Sequence, residues 1–310
     1  MQQDKRTFGT VLVEGILGLV ARLPLRFHLR CGRFFSWLLR DVFHYRRDVV
    51  MINLARSFPE LKYKELKELY RKCYDHLGDI VAEAVWFGGC KGESGRKRLQ
   101  ASYLADVENP EVFNELFKGG RSMMVLASHA GNWELLGGWF CYNHREDAPY
   151  AAGYKDIRVV YRRLKSRTWD RVIGDNRCNC LIGTDFHGYL EATEILRAAI
   201  SSRHEQLVYV FPTDQYPYGI ATKHNVGKFM NQDTLAMTGG AAIASKFGMS
   251  VSYLRWKVVE RGKYSIEFVI LCEDASAFTP EQIMEKYYAE LEKDIREQPW
   301  NYLWTHKRWK

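Results

Sequence analysis

Residues 119–134 read GGRSMMVLASHAGNWE, and this stretch indicates the fold of the chain. Two glycines precede a short apolar run, Ser122–Ser128, which is typical of a buried β-strand. After the strand, Gly131 permits a tight turn, and Asn132 is a good N-cap for a helix predicted over Trp133–Tyr142. A buried strand that leads through a turn into a helix is the repeating step of an α/β fold.

The same alternation continues on the C-terminal side of this stretch. Further strands are predicted at Ile157–Tyr161, Leu207–Phe211, Met249–Trp256 and Tyr264–Leu271. Further helices are predicted at Lys165–Ile173, Gly188–Ser201, Thr238–Phe247 and Pro280–Arg296. We therefore expect an α/β fold with a single central mixed sheet flanked by helices.

On the N-terminal side, the chain is mainly helical and charged. Helices are predicted from Pro59 towards Phe87, at Gly95–Tyr103 and at Pro110–Phe117. We expect a helical lead-in over residues 46–118 and a core over residues 119–310, which together form one α/β domain at 46–310. Residues 1–45 are predicted to form a separate membrane-anchoring or interfacial segment of helices.

This N-terminal segment combines an apolar helix with a basic, aromatic one. Phe8–Ala21 is apolar apart from Glu14, but as a helix it would span only about 21 Å, less than the hydrocarbon core of about 30 Å. In the next helix the basic residues share a sector about 80° wide: Arg26, Arg30, Arg33 and Arg40. Its large apolar residues lie away from that sector: Phe27, Phe34, Phe35 and Leu38. Such a helix either lies in a membrane interface or packs its aromatics on the core, and the preceding apolar helix favours the membrane.

Composition excludes several classes of protein. The chain has 310 residues and is 46% hydrophobic, which excludes wholesale disorder. The longest stretches without Asp, Glu, Lys or Arg have 12 residues, which excludes a polytopic membrane protein. A formal net charge of +8 favours an anionic partner, such as nucleic acid, a membrane surface or an acidic substrate.

The cysteines indicate neither disulfides nor a metal. Seven scattered cysteines form no legible disulfide framework, which favours a reducing compartment. Cys178 and Cys180 lie near His187, but the second pair that a structural zinc site needs is missing from the sequence. We therefore expect no metal ion and interpret these residues as ordinary thiols.

Chemistry is predicted at the turn that follows the buried strand. His129 and Glu134 are five residues apart, and on one helix they would be separated by about 140°, so they can meet only across the turn. A histidine beside a carboxylate is a common general base. Because the sequence has no G-x-S-x-G elbow, such a base would activate a hydroxyl or amine of the substrate. The alternative is a buried structural histidine with a solvated glutamate.

The H-x4-E box at 129–134 resembles the acyltransferase motif of the bacterial lipid A late acyltransferases, part of the lysophospholipid acyltransferase superfamily. Further segments similar to that family follow in the expected order: Val160–Lys165 with its two arginines, Phe211–Gln215, Phe229–Thr234 with Gly239, and the closing W-x-H-[RK]-R pattern in Gln298–Lys310. The likeness covers roughly residues 10–310.

The resemblance implies a reaction and a location. A fatty acyl group would move from acyl carrier protein, or possibly acyl-CoA as a substitute donor in the superfamily, to a hydroxyl of a lipid A precursor. The acyl thioester would be a co-substrate, with no further cofactor. The enzyme would sit on the cytoplasmic face of the inner membrane. The expected partners are acyl carrier protein, the lipid A precursor or a related glycolipid, and the membrane surface, without nucleic acid.

The resemblance also implies roles for individual residues. His129 would take the proton of the acceptor hydroxyl, and Glu134 would orient His129 and stabilise its charge. Arg162, with Arg163 as the alternative register, would bind a phosphate of the acceptor or of phosphopantetheine. The remaining matched positions would line or shape the site: Asp214, Gln215, Thr234 and Gly239.

Each of these positions also has an ordinary explanation. The two arginines fit a solvated basic face, and Asp214 fits a simple turn residue. The tail tryptophans Trp300, Trp304 and Trp309 are predicted to pack or to anchor at the interface, and His306 is predicted to be structural. Because Asn225–Gln232 is polar where many relatives are apolar, another glycolipid, a phospholipid or an aminolipid stays open as acceptor. A remote alternative is a non-enzymatic, basic membrane-surface binder.

Overall fold

The computed structural model describes residues 8–219 and 223–310. Its N-terminal part is built from helices and one short strand. In chain order they are α1 (Phe8–Val20), α2 (Leu25–Trp37), a π-helical turn (Leu38–Val42), α3 (Arg47–Ser57), α4 (Tyr63–Phe87), α5 (Gly92–Ser102), β1 (Ala105–Val107) and α6 (Pro110–Lys118). The longest helix was predicted to begin at Pro59, but it begins at Tyr63. The Glu65 carboxylate accepts from the Lys62 backbone N–H and caps the first turn.

The C-terminal part alternates between strands and helices. It begins with β2 (Met123–Ala127), a 3₁₀-helix (Trp133–Tyr142), β3 (Ile157–Tyr161), α7 (Arg167–Cys178), β4 (Tyr189–Glu191), α8 (Ile195–Ser201) and β5 (Val208–Pro212). It ends with β6 (Lys223–Phe229), β7 (Gln232–Met237), α9 (Gly239–Phe247), β8 (Ser250–Glu260), β9 (Lys263–Cys272) and α10 (Pro280–Glu297).

A seven-stranded mixed sheet forms the centre of the fold, in the order β1-β9-β8-β2-β5-β3-β4. The five strands from β8 to β4 are mutually parallel, while β9 is antiparallel to β8 and parallel to β1. The predicted central mixed sheet with flanking helices is thus confirmed. Strands β6 and β7 form a separate antiparallel hairpin.

Both faces of the sheet are covered, which explains the continuous apolar run in β2. Met124 and Leu126 face a core that includes buried residues of α9 and α10. Met123, Val125 and Ala127 face a second core that includes residues of α5, α6 and the 3₁₀-helix. Successive side chains of a strand point to opposite faces, so a strand buried on both sides is apolar at every position.

One predicted helix was wrong in part. The helix expected at Gly188–Ser201 is instead the short edge strand β4 followed by α8, because Gly188 has a φ of +95° and β4 pairs with β3. The helix predicted over Trp133–Tyr142 is confirmed with those bounds, and it is a 3₁₀-helix. The polar stretch 225–232, which we had not assigned to an element, lies in the β6–β7 hairpin.

Helix α2 packs closely against α4. Helix α2 contacts α4 at Gly32 and Gly78, where a Cβ on Gly78 would lie 2.3 Å from the Gly32 carbonyl oxygen. Two of the four arginines pair with α4, since Arg33 and Arg40 reach Asp75 at 3.0 and 3.4 Å. Arg26, Arg30 and Arg33 remain exposed, and Arg40 is partly buried.

The aromatic residues of α2 point away from the core. Phe27, Phe34, Phe35 and Trp37 are between 42% and 57% exposed, so the interpretation of a core-facing aromatic stripe is also wrong. Within residues 8–219 and 223–310, the structure contains no helix with the length and apolar character needed to cross a membrane. Membrane association and the divisions after residues 45 and 118 stay predictions.

Candidate active site

The candidate site lies at the carboxyl ends of β2 and β5, which are neighbours in the sheet. These parallel strands pair in register up to Ala127 and Pro212, and the Thr213 N–H donates to the Ala127 carbonyl at 3.1 Å. Each strand then continues into a loop, so residues two positions beyond the pairing come to the same edge. This edge is where open α/β sheets gather ligand and catalytic groups.

His129 from the β2 loop is held by Asp214 from the β5 loop. The distance from His129 Nδ1 to Asp214 Oδ1 is 2.7 Å, and Asp214 is buried. Burial raises the pKa of Asp214, but the adjacent imidazole and its hydrogen bonds outweigh burial and hold that pKa below its ordinary value. Asp214 is therefore an ionised orienting partner, and it fixes the tautomer in which Nδ1 carries the proton.

The other imidazole nitrogen faces Gln215. Gln215 Nε2 lies 3.0 Å from His129 Nε2. Because Nδ1 donates to Asp214, Nε2 presents its lone pair and accepts from the amide of Gln215. The free side of a potential base is thus occupied by a neutral donor, at the position that a substrate hydroxyl would need.

Glu134 does not contact His129 as the sequence predicted. Its carboxylate accepts from Arg177 Nε at 2.7 Å and Nη2 at 2.6 Å, and from Trp133 Nε1 at 3.0 Å. The Trp133 ring packs edge-on against the His129 imidazole, with 4.8 Å between centroids. The carboxylate beside His129 is that of Asp214, while Glu134 acts on His129 only through the packing of Trp133.

The turn between His129 and Glu134 depends on close backbone packing. Gly131 has a φ of +69°, and a Cβ there would lie 2.4 Å from Trp256 Cβ. Its N–H donates to Asn301 Oδ1 at 2.8 Å. Asn132 caps the 3₁₀-helix by accepting from the Glu134 N–H, and its own amide donates to Glu83 Oε2 at 2.9 Å.

With this geometry established, the chain can be compared with known proteins. Residues 3–310 match the family model described as bacterial lipid A biosynthesis acyltransferase. The chain belongs to this family. It is 21% identical over 301 residues to the lipid A biosynthesis palmitoleoyltransferase of Escherichia coli (strain K12) and to the lipid A biosynthesis acyltransferase of Shigella flexneri. Each alignment covers 96% of this chain and 89% of the relative.

Because the chain belongs to this family, the protein is an acyltransferase whose acceptor is lipid A or a related glycolipid.

The two predicted arginines follow β3, at the same edge of the sheet. Arg163 pairs with Glu191 at 3.2 Å, whereas the Arg162 guanidinium lies over the Tyr218 ring, 4.3 Å from its centroid. Tyr218 belongs to the loop after Gln215, so the exposed Arg162 is the arginine next to the site.

Thr234 and Gly239 lie near the C-terminal tail and near the residue before Asp214, respectively. Thr234 is buried, and its hydroxyl accepts from Trp309 Nε1 at 2.9 Å, which ties β7 to the C-terminal tail. Gly239 opens α9 two residues after Met237, whose carbonyl accepts from the Thr213 hydroxyl at 3.1 Å. Neither residue contacts His129 directly.

Several residues of the site were not predicted as functional from the sequence. Arg177 binds Glu134, and Asn301 and Tyr302 bring the C-terminal tail against the His129 loop, where Tyr302 pairs with Ala130. Burial lowers the pKa of His306 to about 4, against the field of Asp214, which raises it. The sequence offered one signal for a role of the tail, namely the polar residues Asn301 and His306 among its aromatic residues.

The described part of the acyltransferase contains no group of three or more His, Cys, Asp or Glu side chains arranged to hold a metal ion. Cys180 is buried and its thiol donates to the Gly137 carbonyl at 2.9 Å. The chemistry that this arrangement can perform is proton transfer at His129 Nε2, with Asp214 behind it.

Proposed function

We propose that this enzyme transfers a fatty acyl chain from the thioester of acyl carrier protein to a hydroxyl of a lipid A precursor, with His129 as general base. The observation that carries the proposal is the His129–Asp214 pair at the edge of the sheet. The ionised Asp214 supplies the negative charge that a transient imidazolium needs, and His129 Nε2 faces the neutral amide of Gln215.

The proposed reaction has two stages. The acceptor hydroxyl takes the place of the Gln215 amide at His129 Nε2 and gives its proton to the imidazole as its oxygen attacks the thioester carbonyl. The resulting tetrahedral oxyanion collapses, the carbon–sulfur bond breaks, and the thiolate takes the proton from His129. Asp214 stabilises the imidazolium between these stages by charge and by its hydrogen bond.

We propose Arg162 as the contact for a phosphate group. Its guanidinium is exposed beside the loop that carries Asp214 and Gln215. A guanidinium binds phosphate through two parallel hydrogen bonds. Lipid A precursors and phosphopantetheine both carry phosphate, and a net charge of +8 favours acidic acyl carrier protein as the donor. Acyl-CoA carries the same phosphopantetheine and is the second donor to test.

We further propose peripheral attachment to the cytoplasmic face of the inner membrane. Helix α2, with its exposed aromatic face, follows the apolar helix α1 in the chain, and on α1 Leu12, Ile16 and Leu19 are more than half exposed. Exposed apolar side chains beside arginines favour a membrane interface, where the rings lie at the headgroup boundary.

The test is the mass of lipid A in cells that lack this protein. The cells are complemented with the wild type, His129→Ala or Asp214→Asn, and protein amounts are matched by immunoblot. We expect one additional acyl chain with the wild type and its loss with either variant. Unchanged lipid A in every strain would contradict the acceptor, and the total lipid extract would then be searched for an acylated glycolipid, phospholipid or aminolipid.

A further inference from the structure

The Gln215 amide must leave His129 before an acceptor hydroxyl can bind there. Its Nε2 lies 3.0 Å from His129 Nε2 and donates to the lone pair of the imidazole. In the proposed reaction the acceptor hydroxyl donates to the same lone pair. The amide is therefore released when the acceptor arrives, and it needs a new partner, because a half-buried donor that is left unpaired is costly.

Four other N–H groups in the turn after His129 have partners that the reaction leaves in place. They are the backbone N–H groups of Ala130, Gly131 and Glu134 and the indole N–H of Trp133. Each donates to a side-chain oxygen of the protein at 2.8–3.2 Å. Gln215 differs from these groups because its partner is the atom that the acceptor takes over.

The backbone is held on both sides of Gln215. On the N-terminal side, the Thr213 N–H donates to the Ala127 carbonyl at 3.1 Å, at the end of the paired strands. On the C-terminal side, the Tyr218 ring lies under the Arg162 guanidinium, 4.3 Å from it. Between these two contacts the side chain of Gln215 can rotate while the loop keeps its position. A donor on such a fixed backbone needs little reorganisation during a reaction.

The position that the amide leaves is next to the place where negative charge develops. A hydroxyl oxygen that donates to Nε2 lies about 2.8 Å from it. The thioester carbonyl carbon must come within about 3–3.5 Å of that oxygen before attack. The carbonyl oxygen is one bond further, so the oxyanion forms within the reach of a rotating Gln215 side chain. A donor aimed at that oxygen is what acyl transfer requires.

We propose that Gln215 is a catalytic residue: its side-chain amide, displaced from His129 Nε2 by the acceptor hydroxyl, donates a hydrogen bond to the oxyanion of the tetrahedral intermediate. This inference rests on the proposed function, in which His129 is the base. As the acceptor oxygen bonds to the carbonyl carbon, the π electron pair moves to the carbonyl oxygen, which accepts from the amide. As the carbon–sulfur bond breaks, the carbonyl forms again and the thiolate takes the proton from His129. The amide keeps both of its hydrogens throughout.

The inference is tested with two acyl donors that differ in one atom. One is the acyl thioester of acyl carrier protein, and the other is the dithioester, in which sulfur replaces the carbonyl oxygen. Single-turnover rates of acyl transfer to the lipid A precursor are measured with each donor. Because sulfur is a weak hydrogen-bond acceptor, an amide that donates to the oxyanion accelerates the thioester more than the dithioester. The ratio of the two rates therefore reports on the proposed hydrogen bond.

Two variants remove the donor in different ways. Gln215→Met keeps the length of the side chain and its cover over His129 Nε2, whereas Gln215→Ala removes both. We expect each to lower the thioester rate about 10²- to 10³-fold, with an unchanged KM for the donor, and to lower the rate ratio at least about tenfold. If one variant fails to fold by circular dichroism, the other remains informative.

Gln206→Ala is the matched control. Gln206 is a half-buried glutamine just before β5, at the opposite end of that strand from Gln215, and its amide donates to the Arg121 carbonyl at 3.1 Å. This variant should keep both wild-type rates. A folded Gln215 variant that slows both donors by the same factor, or neither of them, would overturn the inference.

A failure of the proposed function gives a different result. If the wild type does not acylate the lipid A precursor, the proposed acceptor is wrong. The rate ratio is then measured on hydrolysis of the two donors, which passes through the same oxyanion without a lipid. A lowered ratio in the Gln215 variants would still support the inference, and an unchanged ratio would overturn it. A wild type that neither transfers nor hydrolyses the thioester would overturn both.

Discussion

At His129 the structure distinguishes two carboxylates that have different tasks. Asp214 contacts the imidazole, so Asp214→Asn should lower kcat by about 10³- to 10⁴-fold, as expected when an orienting carboxylate is lost and the tautomer is no longer fixed. Glu134→Gln should have a smaller effect on kcat but lower the free energy of unfolding by about 1–3 kcal/mol, because it leaves the half-buried Arg177 without its partner. Steady-state kinetics and urea unfolding of both variants check this. A folded Glu134→Gln variant as inactive as Asp214→Asn would contradict the assignment.

Gln215 occupies the position at His129 Nε2 that the proposed acceptor hydroxyl would take, so its amide keeps water away from the base. Gln215→Ala exposes His129 Nε2 to water, so we expect more hydrolysis of the acyl donor relative to transfer, about tenfold if water occupies the vacated position in most turnovers. The ratio of free fatty acid to acylated product measures it. In the double variant His129→Ala/Gln215→Ala the excess hydrolysis should vanish, because no base remains. An unchanged ratio in the single variant would contradict this role of the amide.

Among the elements, α4 packs against the N-terminal helix α2, and its residue Glu83 binds Asn132 in the active-site loop. Burial raises the pKa of Glu83 to about 7, against the hydrogen bonds from Asn132 and Tyr264, which lower it. Because the folded pKa lies above the unfolded value, the contribution of Glu83 to stability is complete below about pH 4.5 and is lost as the pH rises through 7. The free energy of unfolding of Glu83→Gln, relative to that of the wild type, should therefore increase by up to about 3 kcal/mol from pH 5 to pH 8. Urea unfolding at both pH values tests this, and parallel pH dependences would refute it.

The contact between α2 and α4 depends on the absence of side chains at Gly32 and Gly78. Gly78→Ala places a methyl group 2.3 Å from the Gly32 carbonyl oxygen, so the helices must separate, and we expect a loss of about 1–3 kcal/mol in the free energy of unfolding. Gly174→Ala in α7 is the matched control, since a Cβ there meets no atom within 4 Å. It should be neutral or stabilising by up to about 1 kcal/mol. Equal effects of the two substitutions would argue against tight packing.

Across the whole molecule, local patterns predicted the elements but not their partners. The strand Ile157–Tyr161 was predicted with its observed bounds because an apolar run and its flanking turns are local signals. The carboxylate beside His129 was not, since Asp214 is 85 residues away and reaches it only because β5 is the sheet neighbour of β2. The same holds for the Arg177–Glu134 pair and for the tail. The edge strand β4 and the polar hairpin β6–β7 were missed because pairing, rather than their own hydrophobicity, stabilises them.

Membrane attachment is a property of the whole molecule, and its proposal gives the last prediction. If the aromatic face of α2 inserts between headgroups, Phe34→Ser/Phe35→Ser should weaken binding to vesicles of phosphatidylglycerol and phosphatidylcholine by at least about tenfold, since burial of each ring contributes more than about 1 kcal/mol. Tyr63→Ser, which removes a ring 67% exposed at the start of α4, is the control and should bind like the wild type. Cosedimentation at two salt concentrations separates ring insertion from charge, because only the contribution of the arginines is screened. Wild-type binding by the double variant would place the membrane contact elsewhere on the molecule.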